Sequence, residues 1–148
     1  MRAAAFAAVA LAAVAAPDEG HQHAGGDPDQ VGSVRFLVSC SAPARAQFEH
    51  AVALLHSFWY EQAEQAFARV VMTDPRCAMG YWGQAMSNWH PLWEPPTDDE
   101  LARGRAAASR ASAGSASTPR ERGYIGAVVA FYDGEHPPRE RAAAYARE

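Results

Sequence analysis

Between Phe48 and Trp89 the apolar residues recur at the pitch of an α-helix, and the pattern then repeats as a block. Phe48, Val52, Leu55 and Trp59 are spaced 4, 3 and 4 apart, one stripe of a helix. Met79, Trp82, Met86 and Trp89 are spaced 3, 4 and 3. A shift of 34 positions carries Phe48, Val52 and Leu55 onto Trp82, Met86 and Trp89. The same shift takes Ala51 onto Ala85 and His56 onto His90. A fixed period of this size marks a repeat array, in which each helix pair buries its apolar side by stacking on its neighbour. The pattern therefore predicts an all-α chain of about six helices, paired as antiparallel hairpins in a row.

Local signals set the expected boundaries. Helix starts near Pro43. A second helix begins at Tyr60 or Glu61, with Ala63, Phe67 and Val70 on its dry face and Glu61, Gln62, Glu64, Gln65 and Arg69 on its wet side. Asp74-Pro75 reads as a stop for that helix followed by a start, with Asp74 the N-cap and Pro75 the first residue of a third helix. His90 to Pro96 reads as a proline-rich loop. Thr97-Asp98-Asp99-Glu100 is a capping box for a fourth, alanine-rich helix through about Ser112. Thr118-Pro119-Arg120-Glu121 repeats that logic for a fifth, predicted to bury Tyr124, Ile125, Val128, Phe131 and Tyr132. Asp133 to Pro137 breaks it. Pro138 to Glu148 opens a sixth helix that stops without a C-cap, the pattern of a chain that continues in a longer protein.

The second helix carries a further mark. Ala63-x-x-x-Phe67 followed by Pro75 reproduces the A-x₃-F…P portion of the tetratricopeptide signature, whose period is also 34. The usual Trp, Leu and Tyr of the first helix fall instead on Gln47, His50 and Leu54, and the fourth helix lacks the A-x₃-F pair. The run Leu54-Leu55-His56-Ser57-Phe58-Trp59-Tyr60-x-x-Ala63 is followed by Asp74-Pro75-x-Cys77-Ala78-Met79-x-Tyr81-Trp82-Gly83-x-Ala85-Met86-Ser87 and by His90-Pro91-Leu92-Trp93. Together with Ser39-Cys40, this resembles a group of exported bacterial tetratricopeptide-repeat proteins, over about Val31 to Tyr145 and densely between His56 and Trp93. The resemblance implies a right-handed superhelical repeat scaffold over residues 39–148, within considerably longer proteins. It brings no catalytic residue.

The flanks point to export. Arg2 precedes the apolar run Ala3 to Ala16, too short to span a bilayer, and Ala13-Val14-Ala15 offers small residues for cleavage after Ala15. Residues 1–15 thus read as a signal peptide and the mature chain as periplasmic or secreted, without a membrane anchor. Residues 16–38 read as a flexible linker ending in the short apolar run Val34 to Val38, an extended segment lying on the helices. In an oxidising compartment Cys40 and Cys77 are either a disulfide, adding on the order of 3–4 kcal/mol, or two buried thiols.

Composition narrows the function. The 148 residues carry a net charge of −4, and the only basic residues are arginines, with no patch of the kind nucleic acid requires. No nucleophile motif, phosphate loop or metalloprotease signature occurs. The expected function is therefore a non-enzymatic scaffold, needing no cofactor, that binds a protein or peptide on the inner face of its first helices, through Gln47, His50, Leu54, Asn88 and the loop residue Trp93. The alternative is an exported copper- or zinc-binding protein using His21 and His23, with His50, His56 or His90 as further ligands.

Overall fold

The computed structural model describes residues 30–90, 94–114, 118–134 and 136–148. These residues form six helices and no strand: α1 (Ala42–His56), α2 (Tyr60–Thr73), α3 (Ala78–Ser87), α4 (Asp98–Ala113), α5 (Pro119–Tyr132) and α6 (Pro138–Tyr145). None is long and apolar enough to cross a membrane. Residues 1–29, which carry the expected signal peptide and the metal candidates His21 and His23, lie outside the described residues, as does Trp93.

Each helix packs against the next, and α3 also touches both α1 and α5. The three residues Ser57–Trp59 between α1 and α2 leave room only for a reversal. Two of the five pairs related by the 34-residue shift share roles in the core, whereas Met86 and Trp89 are only half-buried where Val52 and Leu55 are buried, and Trp89 and His90 lie beyond the end of α3. Ala51 and Ala85 have no exposed surface, and the rings of Phe48 and Trp82 lie 6.2 Å apart. Phe67 meets both rings edge-on, at 5.6 Å from Phe48 and 6.4 Å from Trp82. The alanine side of α4 buries Gly104, Ala107, Ala108 and Ala111. Tyr132 fills the space that these small residues leave, and its hydroxyl donates to the Ala85 carbonyl at 2.7 Å.

Both threonine capping boxes form, Thr97 with Glu100 and Thr118 with Glu121. Of the Asp74-Pro75 expectation the stop holds and the start is corrected. α3 starts at Ala78 with Cys77 at its N-cap, while Asp74 closes α2, its amide donating to the Val70 carbonyl. The Asp74 carboxylate is used elsewhere, accepting from the amides of Ser41 (2.8 Å) and Arg76 (3.1 Å). Ser41 is brought there by the Cys40–Cys77 disulfide, with Cα atoms 4.9 Å apart. Tyr124 is also corrected. It is exposed at the surface of α5 and covers other rings from outside.

Candidate functional site

The segment ahead of α1 is laid over the helices as an extended strap. Burial alternates along it: Val38 is buried, Val34 and Phe36 are half-buried, while Arg35 and Leu37 face solvent. That period of two is the signature of an extended chain with one side packed. Among the described residues the strap has no sheet partner, and side chains bond to part of its backbone. Glu49 of α1 accepts from the Phe36 amide at 3.1 Å, and Arg120 of α5 donates to the Leu37 carbonyl. Glu121 accepts from the Ser39 amide and hydroxyl.

Phe36 is the strap's aromatic anchor. Its ring lies 5.5 Å from Phe48 of α1, 6.1 Å from Trp82 of α3 and 5.4 Å from Tyr124 of α5, with the Arg120 guanidinium 4.9 Å above it. Alternate helices thus converge on one side chain. Beside it opens a groove of about 290 Å³, walled by Leu55, His56, Phe58, Tyr60, Trp82, Met86, Trp89, Tyr124 and Tyr145. Trp89 closes one end, held against Phe131 at 4.3 Å and Tyr145 at 4.7 Å. The groove is small for a pocket but strongly aromatic, the lining that apolar ligands and anchor side chains favour.

One wall stores backbone strain. Phe58 has φ of 62°, a left-handed conformation unusual for a bulky residue. Its amide donates to the Leu55 carbonyl, and that of Trp59 to the Leu54 carbonyl, so α1 ends in a Schellman turn with Phe58 where glycine is customary. The side chain is 49% exposed and meets Tyr60 edge-on at 6.4 Å. An aromatic ring is thus held at the groove's edge against the preference of its own backbone.

A second cavity, about 340 Å³, lies beyond Trp89, between Pro95, Pro96, Leu101, Phe131 and α6. Its principal buried polar group already serves the fold. The Arg141 guanidinium donates to the carbonyls of Phe131, Gly134 and His136, tying off the end of α5.

The expected contact residues scatter. Gln47 is exposed and His50 half-buried on α1. Leu54 is 1% exposed and belongs to the core, because α1 is covered by both α2 and α3. Asn88, 2% exposed, ties three helices together: its amide nitrogen donates to Glu64 and to the Gln84 carbonyl, and its oxygen accepts from Arg103. Neither can meet a partner directly. Among the described residues no three His, Cys, Asp or Glu side chains gather as metal ligands. His90 instead packs on the Tyr60 ring at 4.5 Å and contacts the Ser87 carbonyl at 3.1 Å. None of the groove's aromatic residues was among the expected contacts, Phe36, Phe58, Tyr124 and Tyr145 included. No local period marks these four, because Phe36 lies on the strap, Phe58 in the turn after α1, Tyr124 in the first half of α5 and Tyr145 at the end of α6.

Glu121 links the strap to α5 and is only 1% exposed. Burial pushes its carboxyl up, but hydrogen bonds from Ser39 and Thr118 outweigh this and hold it below the usual value. Hydrogen bonding from Ser41 lowers Asp74 in the same way. A carboxyl depressed in the folded state stabilises fully above its unfolded pKa, and that contribution is lost as pH falls through the folded value. Urea midpoints should therefore be flat from pH 7 to 5 and fall below about pH 4.5. Glu121→Gln should be less stable at pH 7 and should fall less steeply in acid. An unchanged acid limb in that variant would show that the carboxylate does not hold the strap.

No protein-family model, no curated protein and no solved structure matches this chain.

Proposed function

We propose that this chain is a non-enzymatic helical-repeat module of the tetratricopeptide type, its hairpins stacked as a right-handed superhelix. It acts in an exported compartment and binds a segment of a protein or peptide partner. The groove beside Phe36 takes an apolar part of that partner, with Phe58, Tyr60, Trp89 and Tyr124 as its aromatic contacts. The observation that carries this reading is the strained, half-exposed Phe58 at the rim of an aromatic groove. Backbone strain of this kind is maintained where the side chain has work to do. The matching burial of Phe48 with Trp82 and of Ala51 with Ala85 across the 34-residue shift supports the repeat reading.

Phe58→Gly separates the binding role from the fold. Glycine relieves the left-handed backbone, a gain of about 1 kcal/mol. It loses the Tyr60 contact and adds unfolded-state freedom, which offset that gain. The variant should melt within a few degrees of the wild type. Peptides selected on the wild-type chain from a displayed random library should be rich in aromatic residues and bind Phe58→Gly on the order of tenfold more weakly, the usual scale for losing an aromatic anchor. No enrichment on the wild type, or full retention by Phe58→Gly and Tyr124→Ser alike, would remove the groove from consideration.

A further inference from the structure

The strap and the groove share a wall, and this assigns the strap a second role. We propose that residues 34–39 are an autoinhibitory strap, an internal ligand occupying part of the peptide groove, and that the partner it holds off is an extended segment with an aromatic side chain at the place of Phe36. The inference rests on the peptide-binding reading above.

Three observations carry it. The strap is bound as a foreign peptide would be. It is extended, it forms no secondary structure, and Glu49, Arg120 and Glu121 hold its amides and a carbonyl. Such clamps recognise any extended backbone, leaving the aromatic ring as the specific element. The Phe36 ring lies against helices α1, α3 and α5 and lines the open groove, so a longer aromatic segment placed there continues into free volume. The strap's outer side is uncovered, with Leu37 72% exposed, so displacing it disturbs no further layer.

The groove wall also holds a donor without a protein acceptor among the described residues, the buried indole N–H of Trp82, stacked against Phe36. The disulfide at Cys40 sets how strongly the strap competes. It fixes the segment's end beside the helices, so the strap rebinds at high effective concentration. A partner's apparent affinity is then reduced by the fraction of time the strap is open.

The test is a fluorescence-anisotropy titration of the full chain with a labelled synthetic peptide of sequence VGSVRFLVS, copied from Val31 to Ser39. A control peptide carries alanine in place of its phenylalanine. The Phe36→Ala chain should bind the phenylalanine peptide on the order of tenfold tighter than the wild type, and the control peptide should bind neither. Should Phe36→Ala lose its helical signal, Ser39→Ala removes one of the strap's own hydrogen bonds to Glu121, leaves Arg120 and Glu121 in place for the peptide, and carries the same expectation. Equal affinity of wild type and folded variant overturns the strap proposal. If library-selected peptides still bind both equally, the groove remains a peptide site and the strap is a fixed wall. If no peptide of either kind binds any folded chain, the peptide-binding reading fails as well.

Discussion

Replacing Cys40 and Cys77 together by serine is expected to cost about 4 kcal/mol of stability and to lower the melting midpoint by roughly 10–20 °C. The bridge joins residues separated by 37 positions and so closes a loop containing all of α1 and α2. Cutting it restores that freedom to the unfolded chain, and the entropy of a loop this long accounts for most of the effect. A smaller part is local. Cys77 is 1% exposed, and a serine hydroxyl there is a buried polar group in place of sulfur. That local part should be concentrated where the bridge holds the strap, because Ser41, Ser39 and Phe36 all follow from the position of Cys40. Urea denaturation of the oxidised wild type, the reduced wild type and the double serine variant is the measurement. The latter two should coincide within about 1 kcal/mol. A double variant as stable as the oxidised protein would mean that the strap is held by its hydrogen bonds alone.

The helices were legible in the sequence because each is decided locally. The stripes from Phe48 to Trp59 and from Met79 to Trp89 repeat at helical spacing, and the two threonine capping boxes need only residues three apart. What sequence could not supply is the set of contacts made across the chain. Ser39 meets Glu121 at a separation of 82 residues, and Leu37 meets Arg120 at 83. No local period encodes such pairings. Glu121 was readable as a capping residue, and the same carboxylate also holds the strap. Asp74 was misread for the related reason that a distant amide, that of Ser41, recruits its side chain. Leu54 and Asn88 were placed on the binding face by their positions in the repeat. Contacts with other helices bury both of them, and the accessible aromatic surface lies instead around Met86, Trp89 and Tyr124.

Gly83→Ala should destabilise the protein by about 2–3 kcal/mol, although alanine is the better helix former by roughly 1 kcal/mol. A Cβ on Gly83 would fall 2.2 Å from two atoms of the Phe67 ring and 2.4 Å from a third. Ordinary carbon contacts are about 3.5–4.0 Å, so ring or helix must shift by more than ~1 Å. The ring has nowhere to go. Phe67 has no exposed surface and is boxed by Phe48 and Trp82, and Ala63 lies one turn earlier on the same face of α2. The strain therefore passes to the spacing of α2 and α3, and through Trp82 to the floor of the groove. Gly123→Ala supplies the contrast. That glycine is also helical, but a Cβ there meets nothing within 4 Å, so helix propensity acts alone and the variant should gain about 0.5–1 kcal/mol. Opposite signs for one substitution in two helices separate packing from propensity. A cycle with Phe67→Leu locates the conflict: the smaller side chain should recover part of the loss at Gly83 and none of the effect at Gly123. If Gly83→Ala melts at or above the wild-type midpoint, α2 and α3 do not approach through this pair, and the close packing of the first hairpin on the second would have to be sought at Ala51 and Ala85.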